Sequence, residues 1–197
     1  MVELVSFLGN PGSEYAGNRH NAGWLLAAKL PFFGSLPWRQ KFKGRYAEKD
    51  GVHFLMPGTY MNLSGDSVQA AASFFKIPPG AILVVHDELE LALGTISLKF
   101  SGGLGGHNGL RSMKGNFGTP DFWRLRIGIG RPDDRLPGEG GHAGSGRGIA
   151  DWVLSDFSAA EMPILEPALE AAAGLLVKAL AVDPQSLLPE WGKKKIV

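Results

Sequence analysis

Three short apolar runs, Val2 to Leu8, Val52 to Met56 and Ala81 to Val85, constrain this chain more than any other feature, and each is bounded by turn residues. Runs of this kind suit strands buried on both faces, which belong to parallel sheets covered by helices. Tyr46, Ile96 with Leu98, and Leu125-Arg126-Ile127 mark further strands. Between them apolar residues recur at helical spacing: Ala22, Leu25 and Leu26; Val68, Ala71, Ala72 and Phe75; Leu110, Met113 and Phe117. Strands alternating with helices predict an α/β fold, and 197 residues fit one domain. Leu165, Leu169, Ala172, Leu176 and Leu180, with Pro163 and Pro167 at the start of the pattern, predict a long covering helix. Arg131 to Gly148 reads as a polar, glycine-rich mobile surface loop.

Composition narrows the function classes. With 44% hydrophobic and 20% charged residues, disorder, collagen and coiled coil are excluded. No apolar run approaches the roughly 18 residues of a membrane helix, and Met1-Val2-Glu3 lacks a basic leader, so a cytoplasmic protein without membrane association is expected. The absence of cysteine removes disulfides, thiolate zinc sites and a cysteine nucleophile together. A net charge of +1 hides an uneven distribution: the first and third quarters of the chain are each net +4 and the second is −4. Two basic stretches could meet as a phosphate-binding face, or could be ordinary solvated surface.

Four polar segments could carry chemistry. The first strand runs into Gly9-Asn10-Pro11-Gly12, passes Tyr15 and reaches Asn18-Arg19-His20-Asn21. With Asn18 as N-cap, His20 falls in the first helical turn, and an imidazole is the side chain suited to accept a proton near neutral pH. Taken alone, Asn10 is more simply an Asx turn and His20 a surface histidine. The second segment, Pro57 to Gly65, carries Tyr60, Met61 and Asn62 into the second helix, where Asn62 or Ser64 could simply cap. The third is His86-Asp87-Glu88 at the end of an apolar strand. Ligands bind beyond the carboxyl ends of such strands, so Asn10, Asn62 and Asp87 could share one edge with His20. The fourth, Lys99 to Gly109, is a glycine loop opening the third helix, whose freed amides could attract an anion. Asn108 could be its N-cap and His107 a satisfied loop histidine. Phe122-Trp123-Arg124-Leu125-Arg126 downstream fits an edge strand or a nucleic-acid surface.

In this order the blocks GNPGSEYAGNRHNAG, PGTYMNLSG, HDELELALG, LKFSGGLGGHNGLRS and FWRLRIGIGRP resemble the bacterial peptidyl-tRNA hydrolase family, from Val2 to about Pro132. The resemblance implies a single α/β domain with a twisted mixed sheet surrounded by helices. It also implies hydrolysis of the ester between peptide and tRNA, recycling tRNA from stalled translation. By the same resemblance His20 is the base and Asp87 the carboxylate that orients it. Asn10, Asn62 and Asn108 position substrate or water, with Tyr15 and Met61 in the cleft wall, while Lys99 and Arg126 clamp the tRNA 5′-phosphate. The partner implied is peptidyl-tRNA, with no cofactor, no metal and no obligate protein partner, and the chain is expected to be a monomer. The family's usual Thr ahead of Arg-His-Asn is Asn18 here.

Without cysteine or a G-x-S-x-G elbow, water is the more plausible nucleophile. Two other readings stay open on sequence grounds. A metal-dependent hydrolase could use His20, His86, Asp87 and His107, although H-E-x-x-H is absent. A non-catalytic RNA-binding module could use Arg39, Lys41, Lys43 and Arg45 with Lys193-Lys194-Lys195.

Overall fold

The computed structural model describes residues 1–132 and 148–197. Among these residues eight strands form one mixed sheet: β1 (Leu4–Phe7), β2 (Arg39–Lys41), β3 (Gly44–Lys49), β4 (Val52–Pro57), β5 (Ile82–Glu88), β6 (Thr95–Phe100), β7 (Trp123–Gly128) and β8 (Lys194–Lys195), in the order β2-β3-β4-β1-β5-β7-β6-β8. The central strands β4, β1, β5 and β7 are parallel, and the flanking pairs are antiparallel. The α/β class expected from the alternation of periods is the class observed.

Pleating explains the two layers of helix. Leu83 and Val85 of β5 point into one core with α1 (Ala22–Ala28), α5 (Met162–Ala181) and α6 (Leu188–Trp191). Ile82 and Val84 point into the other with α2 (Ser64–Phe75) and α3 (Asn108–Phe117). A strand covered on both faces must be apolar at every position, which is why β5 reads as an unbroken run. A short helix α4 (Ile149–Val153) packs Trp152 and Val153 against Ile129.

The chain leaves β1 toward β4 on one side, then crosses to β5 on the other, so the ends of β1, β4 and β5 enclose a topological switch point. Gly23 lets α1 close over it: a Cβ there would stand 2.5 Å from the Leu8 carbonyl oxygen and 2.8 Å from that of Val85. That close approach carries the turn before α1 onto the end of β5.

Several local expectations are corrected. Asn18 holds the N-cap position, but of a 3-10 turn, Arg19–Asn21, that puts His20 ahead of α1, and its side chain makes no capping bond; the side-chain amide is buried without a hydrogen-bond partner. Leu63 holds the N-cap position of α2, so neither Asn62 nor Ser64 caps it. β7 is no edge strand, since β5 and β6 flank it, and Arg124 is fully buried, donating to the carbonyls of Gly102 and Gly103. Pro167 lies inside α5, where the pattern had put it at the start. The loop reading for Arg131 to Gly148 falls, for 133–147, outside the described residues.

Candidate active site

Asp87, at the end of β5, is almost fully buried. Nδ1 of His20 lies 2.9 Å and 3.0 Å from its two carboxylate oxygens, and Nε2 of His107 lies 2.9 Å from Oδ1. The protons can be assigned by partners. His107 is the N-cap of α3, and its Nδ1 accepts from the amides of Gly109 and Leu110, so its Nε2 carries the proton donated to Asp87. His20 then donates Nδ1–H to the same carboxylate, which leaves its Nε2 lone pair for the cleft that it lines. Burial would raise the pKa of Asp87, but the charges and hydrogen bonds of His107 and His20 outweigh it and hold the carboxyl well below the usual carboxylate range.

His107 was the residue that sequence reasoning undervalued. Its cap role also corrects two expectations: Asn108 is the first helical residue rather than the cap, and two amides offered to an anion are already taken. His86, the neighbour of Asp87, lines neither cavity described below, and its ring packs edge-on against His107 with centroids 4.9 Å apart. Its Nδ1 donates to the Asp87 carbonyl, and burial, reinforced by His107, pushes its pKa well below the ordinary value.

Two cavities meet at His20 and share Asn108, Ala150 and Val153. One, about 330 Å³, adds Asp87, Glu88, Glu90, His107 and Arg111. The other, about 420 Å³, adds Asn10, Tyr15, Tyr60, Met61 and Asn62. Asn10 is locked: its N–H donates to Asn21 Oδ1, its carbonyl accepts from Asn21 Nδ2, and its Oδ1 accepts from the Met61 amide. With Oδ1 engaged, Nδ2 is the donor that Asn10 offers to the cavity. Asn21, silent in the sequence reading, therefore ties the β1 loop to the His20 turn.

Arg19 braces the opposite wall. Its buried guanidinium donates at 2.8 Å and 2.6 Å to the two oxygens of Glu161, and at 2.9 Å to Ser155 Oγ, while lying 3.7 Å from the Trp152 ring centroid. Stacking on Trp152 and the bond to Ser155 fix α4, whose Ala150 and Val153 face both cavities, while the Glu161 pair ties Arg19 to the start of α5.

A match to the sequence profile of the family described as Peptidyl-tRNA hydrolase covers residues 4–196. The chain belongs to the peptidyl-tRNA hydrolase family. Peptidyl-tRNA hydrolase of Treponema pallidum (strain Nichols) is 47% identical over 206 residues, spanning 100% of this chain and 97% of that protein. A crystal structure of peptidyl-tRNA hydrolase from Acinetobacter baumannii matches with a TM-score of 0.75 at 36% identity, over 97% of this chain and 96% of that one. A peptidyl-tRNA hydrolase in complex with N-propanol matches at 0.76, with the same identity and coverage. No helix among the described residues is long and apolar enough to cross a membrane.

Against the site expected for a peptidyl-tRNA hydrolase, seven residues converge on the cleft: His20, Asp87, Asn10, Tyr15, Met61, Asn62 and Asn108. Lys99 and Arg126 line neither cavity. Lys99 lies opposite Arg124 and Ser97 opposite Arg126, so Lys99 and Arg126 are diagonal neighbours on one face, with Cα atoms about 7 Å apart. Arg126 donates to Ser97 Oγ at 2.6 Å and reaches Glu88 at 3.5 Å. His20, Asp87 and His107 are also a group whose donor atoms, within 4.8 Å of one another, could hold a metal ion. The hydrogen bonds fit that role poorly. A metal-ligating histidine donates its other ring N–H to an acceptor, whereas the other nitrogen of His107 accepts from two amides.

Proposed function

We propose that the chain hydrolyses the ester bond of peptidyl-tRNA with water activated by His20. The observation that carries this reading is the buried Asp87 carboxylate receiving Nδ1–H of His20 in a cleft at the sheet's switch point. His20 Nε2 takes a proton from water as the water oxygen attacks the ester carbonyl. The imidazolium that forms is stabilised by Asp87, and the tetrahedral oxyanion by side-chain amides of the cleft, among them Asn10 Nδ2, whose amide is oriented by the Met61 N–H at its Oδ1. Collapse of the intermediate breaks the ester C–O bond, and the imidazolium returns its proton to the ribose oxygen of the departing tRNA. Asn62, Asn108, Tyr15 and Met61 hold the peptide and the terminal nucleoside. Lys99 and Arg126, neighbours on one face, grip the 5′-phosphate.

The test is single-turnover deacylation of an N-acetyl-aminoacyl-tRNA with EDTA present. Wild type cleaves it, and His20→Ala, folded by circular dichroism, is slower by about 10² to 10⁴. Near-native turnover by His20→Ala refutes the base assignment, and loss of wild-type activity in EDTA restores the metal reading.

A further inference from the structure

Of the two cavities that meet at His20, one is walled by Tyr15, Tyr60, Met61 and side-chain amides, and the other carries the charge. Each acid lining the charged cavity has a cation beside it: Glu88 lies 3.5 Å from Arg126, and Glu90 pairs with Arg131. Arg111, in the first turn of α3, lines the same cavity, is exposed and has no hydrogen-bond or ion-pair partner among the described residues. The chemistry above gives it no part. A guanidinium without an acid, in the wall of a concave site, is a receptor for a planar or tetrahedral oxyanion.

A glycine loop joins this cavity to the Lys99–Arg126 pair. Residues 102 to 106 are all glycine except Leu104, and the glycines are exposed. Its neighbours mark a continuous track. A Cβ at Gly102 would stand 3.0 Å from Lys99 Nζ, one at Gly105 3.5 Å from Glu88, and one at Gly106 3.7 Å from Arg111. From Gly102 to Gly106 the backbone reaches at most about 14 Å, and the next residue is His107, which holds Asp87. Buried Arg124 anchors the loop by the carbonyls of Gly102 and Gly103, while Gly105 and Gly106 keep left-handed φ of 57° and 76°, which other residues resist. The loop is therefore a bare backbone floor with a cation at each end, which a polyanion can approach closely.

A 5′-phosphate at Lys99–Arg126 and an ester at His20 fix the two ends of the unpaired strand, and this floor lies between them. We infer that the unpaired 3′ end of the RNA runs along the glycine loop and that Arg111 holds one of its backbone phosphates next to the ester; the inference rests on the peptidyl-tRNA reading. The peptide is then directed to the other cavity, whose aromatic, thioether and amide walls suit it. Arg111 acts apart from the Lys99–Arg126 pair, since its phosphate belongs to a linkage near the 3′ end.

The test uses N-acetyl-aminoacyl-tRNA whose two linkages nearest the 3′ end are either ordinary or uncharged methylphosphonate. With ordinary linkages Arg111→Gln should raise KM about fivefold, the upper end for an exposed ion pair. The log–log salt slope should flatten by about 0.7, the share of one single-strand phosphate. With methylphosphonate linkages wild type should already show the raised KM, and Arg111→Gln should add nothing to it. Arg111→Lys, which keeps the charge without the paired donors, should keep the slope and lose part of the affinity. Lys99→Gln is the contrast, with the same effect on both substrates. An equal KM rise for Arg111→Gln on both substrates, or an unchanged salt slope, overturns the inference. A KM change that follows acidic residues in the peptide overturns it too, making Arg111 a peptide contact. A wild type that cleaves neither substrate overturns the peptidyl-tRNA reading and the inference with it.

Discussion

Replacing Asp87 by asparagine isolates the carboxylate from every other part of the site. Asn has nearly the same shape, but it offers one acceptor oxygen where Asp87 receives N–H groups from both His20 and His107. Both rings reach Oδ1 and only His20 also reaches Oδ2, so an NH₂ at the Oδ2 position faces His20 Nδ1 at 3.0 Å and one at the Oδ1 position faces His107 as well; a ring so faced is relieved by turning its lone pair inward. If His20 yields, its proton moves to Nε2 and the base is blocked. If His107 yields, its proton moves to Nδ1 and the amides of Gly109 and Leu110 lose their cap. Beyond the tautomer, the imidazolium loses a counter-charge at hydrogen-bond distance. A charge-assisted bond contributes about 1.5 to 3 kcal/mol, and unit charges 4 Å apart at an effective dielectric of 20 attract by about 4 kcal/mol. The two figures describe overlapping parts of one attraction, so a loss of about 3 to 5 kcal/mol predicts kcat lower by about 10² to 10⁴, with KM little changed. Single-turnover deacylation at one fixed pH, with folding checked by circular dichroism, makes the test. A variant within tenfold of wild type would refute the coupling of His20 to Asp87.

Three further outcomes are expected. Lys99→Gln and Arg126→Gln should each raise KM for peptidyl-tRNA and flatten its salt dependence, sparing small esters; equal loss on small esters would move these residues into the chemistry. The depressed pKa of His86 means that, below about pH 6.5, the unfolded chain binds a proton that the native one refuses, so stability is complete above that pH and falls as acid is added. His86→Asn, whose amide can still donate to the Asp87 carbonyl, should remove part of that slope in urea melts at pH 5 to 7. Gly65→Ala would put a Cβ 2.3 Å from the Ser112 carbonyl oxygen, forcing α2 and α3 apart. About 2 kcal/mol of strain should lower Tm by about 6 °C and reduce kcat, because α3 carries His107 and Asn108; an unchanged Tm would contradict that packing.

The fold class and the cleft were legible because parallel strands and their ligand edge have a sequence signature. An apolar run that stops at Asn10, or at His86-Asp87, announces both a buried strand and what stands at its end. What stayed hidden depends on partners far apart in the chain. By propensity Asn108 is a better cap than His107, and only the proximity of Asp87 explains why histidine holds that position. Arg124 and Arg126 look exposed in a linear reading, yet the glycine-loop carbonyls hold the terminal nitrogens of Arg124 and Ser97 holds one of Arg126. Arg19 and Asn21 carry no motif signal beyond their adjacency to His20; Glu161 and Asn10, which they hold, are 142 and 11 residues away.

The short helix after residue 148 divides its labour by position. Residues 150 and 153 line both cavities and 154 one of them, while 152 and 155 grip Arg19, next to the base. Cleft shape and base placement are therefore written on different side chains of the same seven residues. Under the proposed mechanism, substitutions at 150, 153 or 154 reshape what the wall admits without loosening His20, so selectivity for the peptide is free to drift while the reaction is kept. A change at 152 or 161, out of sight of the substrate, would disturb the reaction itself.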